Sequence, residues 1–492
     1  MLRIFTLLLT LFWVTPALAT WSEYRSTNFT IYTDESPDKA EKLLRQFEQF
    51  RAVVLQYMNL PDTQENQRMM ILMYADRDHF FRLVGEHVGG FYVRTPAGPR
   101  MVVGPQETFA DSSVVLFHEY VHYLVRENSQ VHYPMWYDEG LAEFLASAVI
   151  EEDRVLLGPL HPWRKGWMTL PRWPHLRDLF NPPLMDEKPL YYWARFYAAS
   201  WLTVHYLELG TIYDFPDYSA QTRQFLVLYN QGVEPEEAFV QAFDKSVNEM
   251  HRELRRYRRQ RFNQVISFPT TPYEGELNVR ALSHNEQQFV LADLAWRMDK
   301  EKEALEYLTD LKTDEKDAAR GLSLRAVLKN HNKEHDEAYK DLVQALRHDK
   351  SDTQVLMNAG HFYLDTANPE YSDDEDVQSV VNLDYVRRAQ EYVQAALKQE
   401  PDFQEAHHYH IQVQRHLGTQ RDVLQAMMTL YQMAPSDIAI NIAIGELLAE
   451  ADRPDLARQF IERALGWTHD DELREKLSEK LEEIIKLEAE MG

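Results

Sequence analysis

Cysteine is absent from the 492 residues, which removes disulfides, thiolate metal ligands and cysteine nucleophiles together. Any transition-metal site must therefore be assembled from His, Asp and Glu. Positive charge is scarce as well: 52 Lys and Arg stand against 78 Asp and Glu, a formal charge of −26. A surface that gathers phosphates needs a clustered positive field, so no nucleic-acid partner is expected. Long apolar runs are missing beyond the N-terminus, where no segment reaches the ~20 residues that a spanning helix requires. What remains is the composition of a folded protein, 45% apolar and 26% charged, in a chain too long for one hydrophobic core.

The exceptional apolar run is at the start. Met1, Leu2 and Arg3 carry one positive charge, an apolar run follows over 4–14, and Pro16 precedes the small residues Ala17 and Ala19. That is the layout of a secretory signal peptide, expected to occupy 1–19. The run is too short to span a bilayer, and no cysteine follows it to take an acyl chain. The expected mature chain starts near Thr20, has no transmembrane segment after cleavage, and is exported, to the periplasm if the source is Gram-negative.

Residues 28–33 alternate apolar and polar as a half-buried strand does. Ser36 and Pro37 open a helix whose apolar stripe runs through Ala40, Leu43, Leu44, Phe47, Phe50, Val54 and Tyr57. There follow a strand over 69–74, a hairpin of strands over 90–94 and 100–103, and two helices, over 111–128 and 138–149. This order suits an α+β domain, expected over 20–266, with helices and proline-rich breaks in its second half. A basic run at 251–262 reads either as a membrane-surface or anionic-ligand patch or, more simply, as a solvated helix face. Prolines and a glycine mark 267–284 as a linker.

Beyond it the chain becomes helical and periodic. Ala304 and Ala338 are 34 residues apart in similar phrases, Pro401 and Pro435 repeat the interval, and Gly360 and Gly445 take the equivalent small position. This resembles tetratricopeptide repeats, stacked helix pairs with a period of about 34. Five units are expected over 285–469, starting near 285, 319, 353, 404 and 438. The third is enlarged by an acidic stretch at 371–376, and an amphipathic helix over 470–492 caps the stack. A protein or peptide partner on the repeats is expected.

The chemistry is concentrated at His118, Glu119, Tyr120, Val121 and His122. Two histidines four apart on a helix project from one face and can hold one metal ion together. Glu119 can reach a water on that metal without being a ligand. In a chain of 19 histidines the pattern alone says little, and the competing reading is a buried helix whose histidines bond to neighbours. The surroundings weigh against it. Val114, Val115, Leu116, Phe117, Val121, Leu124 and Val125 make the segment apolar on nearly all sides. Two buried imidazoles beside a buried carboxylate are costly unless something pairs them. A third donor is offered seventeen residues after His122, where Glu139 and Glu143 share a helix face. One of them can ligate while the other accepts the free N–H of a ligand histidine.

His-Glu-x-x-His followed by Trp-x-x-Glu-Gly-x-Ala-Glu resembles the gluzincin clan of zinc metallopeptidases, and within it the peptidase MA-like, thermolysin-like domains. The likeness runs over roughly residues 22–265 and does not cover the repeats. It implies an α+β thermolysin-like (gluzincin) domain followed by an all-α tetratricopeptide-repeat solenoid, with Zn2+ as cofactor. By position it implies His118, His122 and Glu139 as zinc ligands, Glu119 as general base, and Glu143 as the carboxylate behind a ligand histidine. It further implies a polypeptide substrate, laid as an added strand along Gly89, Gly90 and Phe91. Tyr197 and His205 are the candidates for the donor that stabilises the oxyanion. The alternative is a catalytically silent domain of this fold acting through its repeats, against which stands the presence of every residue the chemistry needs.

Overall fold

The computed structural model describes residues 21–62, 68–85, 89–105, 112–128, 131–160, 162–169, 173–183, 188–368, 381–468 and 470–491. The expected signal peptide at 1–19 and the acidic stretch at 371–376 lie outside the described residues.

The first half opens with β1 (Ser22–Arg25), β2 (Phe29–Thr33), α1 (Pro37–Tyr57), β3 (Met69–Met73) and α2 (Arg77–Val84). The hairpin β4 (Gly90–Thr95) and β5 (Gly98–Val103) leads to α3 (Ser112–Asn128) and α4 (Met135–Ala146). After β6 (Val149–Ile150) and β7 (Arg154–Leu157) come α5 (Pro162–Met168), α6 (Arg177–Phe180), α7 (Leu190–Leu209), α8 (Ser219–Asn230), α9 (Pro235–Phe243) and α10 (Val247–Tyr257). Two strands, β8 (Ile266–Pro269) and β9 (Asn278–Ala281), end this half. They lie in the segment expected to be a linker. β8 pairs with β7 and β9 with β1, so that segment is stitched into two sheets. The short elements β1, α2, β6 and β7 carry too little periodicity to announce themselves in the sequence.

The second half is a helical-repeat solenoid. Its pairs are α11 (His284–Arg297) with α12 (Glu301–Thr309), α13 (Ala319–His331) with α14 (His335–His348), and α15 (Thr353–Ala367) with α16 (Leu383–Gln399). Then come α17 (Gln404–Leu417) with α18 (Gln420–Met433), α19 (Ile438–Glu450) with α20 (Pro454–Trp467), and a last helix α21 (Asp471–Met491). A Cβ at Gly360 or Gly445 would lie 2.7 Å from a side-chain carbon of Val393 or Ile461. The second helix of each pair leaves no room for one. Among the described residues, no helix is long and apolar enough to cross a membrane.

Six strands form one mixed sheet in the order β4-β5-β3-β2-β1-β9, parallel across β5-β3-β2 and antiparallel elsewhere. Phe29 and Ile31, with Ile71, Met73, Met101 and Val103, enter the core beneath α1 and α3. Tyr32, Leu72 and Val102 point the other way and are buried too, against Leu291, Leu294, Ala295 and Leu322 of the solenoid. The strand expected to be half-buried at 28–33 is therefore buried along its whole length, because the repeats cover the face that would otherwise meet water. That also explains the unbroken apolar run of β3, the pattern of a strand covered on both sides.

Charged contacts fasten the two halves. Buried Arg100 of β5 lies 2.7 Å from Asp293 of α11, which lies 3.0 Å from Arg297, which in turn lies 2.6 Å from Glu405 of α17. At the other end of the solenoid, Arg94 of β4 pairs with Glu127 of α3 and approaches Asp437 at 3.7 Å, beside the start of α19. The Trp467 ring packs edge-on against His132 at 4.9 Å. The solenoid begins on the sheet and returns to the end of α3.

Candidate metal centre

Helix α3 is made of residues that belong inside. Leu116, Phe117, Tyr120, Val121, Leu124 and Val125 are buried, and Phe117 stacks on Phe50 of α1 at 4.3 Å. Helix α4 packs against α3 on one side and α7 on the other. A Cβ on Gly140 would lie 2.5 Å from the Ser200 carbonyl oxygen of α7. Only glycine permits that approach, and it fixes the position of its neighbour Glu139.

These two helices bring three donors together. His118 Nε2 and His122 Nε2 are 3.2 Å apart, and Glu139 Oε2 lies 3.1 Å from the first and 3.5 Å from the second. A tetrahedral zinc site with bonds of about 2.0–2.1 Å has ligand–ligand edges of about 3.4 Å. The triangle has the size of one face of such a site. Glu139 Oε2 is buried without a hydrogen-bond partner of its own, an orphan that a cation would satisfy. The residues present therefore fit a divalent ion. Among the described residues, no other group of three such donors occurs.

The electrostatics point the same way. Burial disfavours charge on His122, but Asp138 and Glu139 outweigh it and push the imidazole up to about 10. Burial likewise raises the Glu139 carboxyl, and His122 and His118 more than offset it, holding the group below the usual carboxylate range. A pocket that draws positive charge this strongly suits a dication.

Behind the triangle stand residues that sequence reasoning missed. His122 Nδ1 lies 3.1 Å from Asp138 Oδ1, and Asp138 Oδ2 accepts a 3.1 Å bond from Arg126. The available signal was the place of Asp138 directly before Glu139. Glu143 Oε1 stands 3.7 Å from His118 Nδ1, beyond hydrogen-bond length. The carboxylate instead takes two bonds from Arg164 of α5, one at 2.8 Å from Nε and one from Nη2. Arg164 lies on a seven-residue helix, about two turns, with no apolar rhythm to mark it.

Tyr197 of α7 meets His118 edge to face, with ring centroids 6.4 Å apart, and the Arg164 guanidinium lies over its ring at 5.7 Å. Burial, then Glu139 and Glu119, raise its phenol, so it stays a proton donor. His205 is a correction. Eight residues further on, it is turned by about 80° from Tyr197 on the same helix. It is fully buried, with Nδ1 2.7 Å from the Tyr257 hydroxyl and Nε2 2.9 Å from the Gly158 carbonyl. Both ring nitrogens are engaged there, which leaves it no part in an oxyanion site.

Gly90 and Phe91 belong to β4, the edge strand of the sheet, and Gly89 precedes it. β4 runs beside α3: the Tyr92 ring lies 6.3 Å from that of Tyr123, and Arg94 pairs with Glu127. Two strand residues advance about as far as one helical turn. The same register continued backwards sets Gly90 level with Glu119.

No family model matches the chain, and no curated protein matches it. Among solved structures, a thermophilic TPR protein of Thermus thermophilus is similar at 15% identity and a TM-score of 0.32, over 40% of this chain and 98% of its own. PilF of Pseudomonas aeruginosa is similar at 16% identity and a TM-score of 0.31, over 42% of this chain and 88% of its own. Likenesses this low carry no weight by themselves. The repeat solenoid is read from the helix pairs.

Proposed function

We propose that the chain is an exported zinc-dependent peptidase, its first half a thermolysin-like, gluzincin domain. The observation that supports this reading is the triangle of His118, His122 and Glu139, sized for a tetrahedral ion, with Glu119 beside the first histidine. Zn2+ held by these three would supply a Lewis acid that polarises the scissile carbonyl and lowers the pKa of water from 15.7 toward ~7. Glu119 takes the proton of the attacking water and passes it to the leaving amine. Tyr197, protonated and beside His118, donates to the carbonyl oxygen as charge develops on it. The polypeptide substrate lies as an added strand along β4, where Gly89 and Gly90 leave its backbone unobstructed. Export rests on the layout of residues 1–19.

The repeats hold a protein or peptide partner. The first helices of their pairs touch one another: the Trp296 ring of α11 stacks on His361 of α15 at 5.5 Å, and the Tyr409 hydroxyl of α17 bonds to His361 Nδ1 at 2.8 Å.

The test is metal analysis of the purified chain beside its Glu119→Gln substitution, with casein as substrate. Both chains are expected to carry stoichiometric zinc, with hydrolysis slower after the substitution by about 10²–10⁴-fold. Stoichiometric zinc in both and equal rates of cleavage overturn the peptidase reading, and no zinc at all favours a scaffold acting through its repeats.

A further inference from the structure

In a chain so short of positive charge, residues 252–261 hold six arginines and a single acid, Glu253. Helix α10 is fixed to the body by its other face, where Met250, Leu254 and Tyr257 are buried, and its N-terminus is closed by a reciprocal Ser246–Glu249 cap. Glu253 is engaged elsewhere. It lies 2.5 Å from Lys245 Nζ and accepts from the Tyr206 and Tyr218 hydroxyls at 2.7 and 2.9 Å. On the neighbouring α9 and α6, Glu236 is taken by Arg177, and Asp178 accepts from the His175 amide.

Arg252, Arg255 and Arg256 share one face of α10, Arg259 follows in the turn just beyond its end, and all four are exposed. Neither they nor exposed Arg261 has a carboxylate partner among the described residues. An ordinary solvated face of this protein looks different. On the repeats, exposed cations are matched to acids a turn away, as in Lys340 with Glu337, Arg458 with Glu462 and Lys476 with Glu472. The stripe lacks such matching. Burial, and after it the neighbouring Arg255 and Arg259, lower the pKa of Arg258. The same guanidinium lies 4.8 Å above the ring of Trp173.

We propose that the arginine stripe of α10 docks the protein on an anionic phospholipid surface. Charge argues for that occupant. A net charge of −26 repels any polyanion that wraps the molecule, so attraction is confined to an object met on one face. The rest of the molecule is screened beyond a Debye length of about 8 Å. A planar array of headgroups meets a single helix face, and arginines near such a surface add their attractions.

The test is sedimentation of the full chain with vesicles of mixed phosphatidylglycerol and phosphatidylcholine, and with vesicles of phosphatidylcholine alone. A variant with Arg252, Arg255, Arg256 and Arg259 each changed to Gln is compared, its fold checked by circular dichroism. Both chains keep residues 1–20, so any difference between them belongs to the stripe. The wild type is expected to gain binding when phosphatidylglycerol is present, and to lose that gain in 1 M salt, where the Debye length falls to about 3 Å. The variant is expected to lose the gain by about ten-fold or more. An equal gain in both chains, no gain in the wild type, or capture by a DNA oligonucleotide without capture by vesicles overturns the proposal.

Discussion

Asp138 Oδ1 stands 3.1 Å from Nδ1 of His122, the imidazole whose Nε2 faces His118 and Glu139. The ring is thus oriented from behind by a carboxylate that Arg126 balances at 3.1 Å. Outer partners of this kind are worth about 10–100-fold in metal affinity. Asp138→Ala is expected to weaken zinc binding by that factor, and Asp138→Asn, which keeps an acceptor for the ring, by less. Competition with a chromophoric chelator measures both without any substrate. Equal affinity in all three chains would show that the contact orients nothing.

Arg164 serves the other histidine more remotely. Its side chain is 4% exposed and holds Glu143, 12% exposed, by two bonds. Arg164→Ala leaves that carboxylate without its donors, and breaking a buried pair on one side costs about 3 kcal/mol. The urea midpoint should fall accordingly, with part of the loss recovered in Arg164→Lys. Because Glu143 is 3.7 Å from His118, zinc affinity should change less than in Asp138→Ala. The reverse order would make Glu143 the more important support.

The triangle was legible because helical spacing is rigid: His118 and His122 are one turn apart, and Glu139 stands on the following helix, which has room to turn back. The outer residues were harder to read. Asp138 is visible only once α4 is known to lie against α3, and Arg164 approaches from a separate short helix. His205 shows the opposite error, since a histidine on the correct helix can be turned into the core. The interval that ties Ala304 to Ala338 reports how helices pair within the solenoid. It is silent on what the solenoid leans against, because Leu291 and Leu294 read as ordinary repeat interior whether a helix or a sheet covers them. The full burial of β2 followed from that unseen contact.

That contact gives a third prediction. Asp293 sits between Arg100 and Arg297, 2.7 and 3.0 Å away. Asp293→Ala leaves two buried guanidinium groups facing each other, a loss of roughly 3–5 kcal/mol. Burial raises the Asp293 carboxyl, and the two arginines more than offset it. Its contribution is therefore present above its ordinary value of 3.8 and is lost as pH falls through the lower folded value. An independent repeat array would confine the damage to neighbouring helices. Here amide exchange should accelerate in β5 as well as in α11. Unchanged exchange in β5 would mean that the solenoid and the sheet unfold separately.

His205 makes the acid response of the first half predictable. Burial holds its imidazole neutral, lowering it from 6.5 to about 4, against a weaker upward pull from the Gly158 carbonyl. Between those values the unfolded chain binds a proton that the folded chain refuses, so stability rises with pH. The contribution is complete above 6.5 and is lost as pH falls through 4. By pH 4.5 the loss from this one group is roughly 2–3 kcal/mol. His205→Phe starts less stable at pH 7, because the Tyr257 hydroxyl and the Gly158 carbonyl lose their partner, yet its stability should fall less steeply on acidification. Urea unfolding at pH 7 and 4.5, with a chelator present so that zinc release adds nothing, isolates the difference. His132 and His251, also lowered to about 4, keep a residual slope in both chains. Parallel slopes for the two chains would mean that His205 takes up its proton at an ordinary pH, and that its two bonds do not hold it neutral.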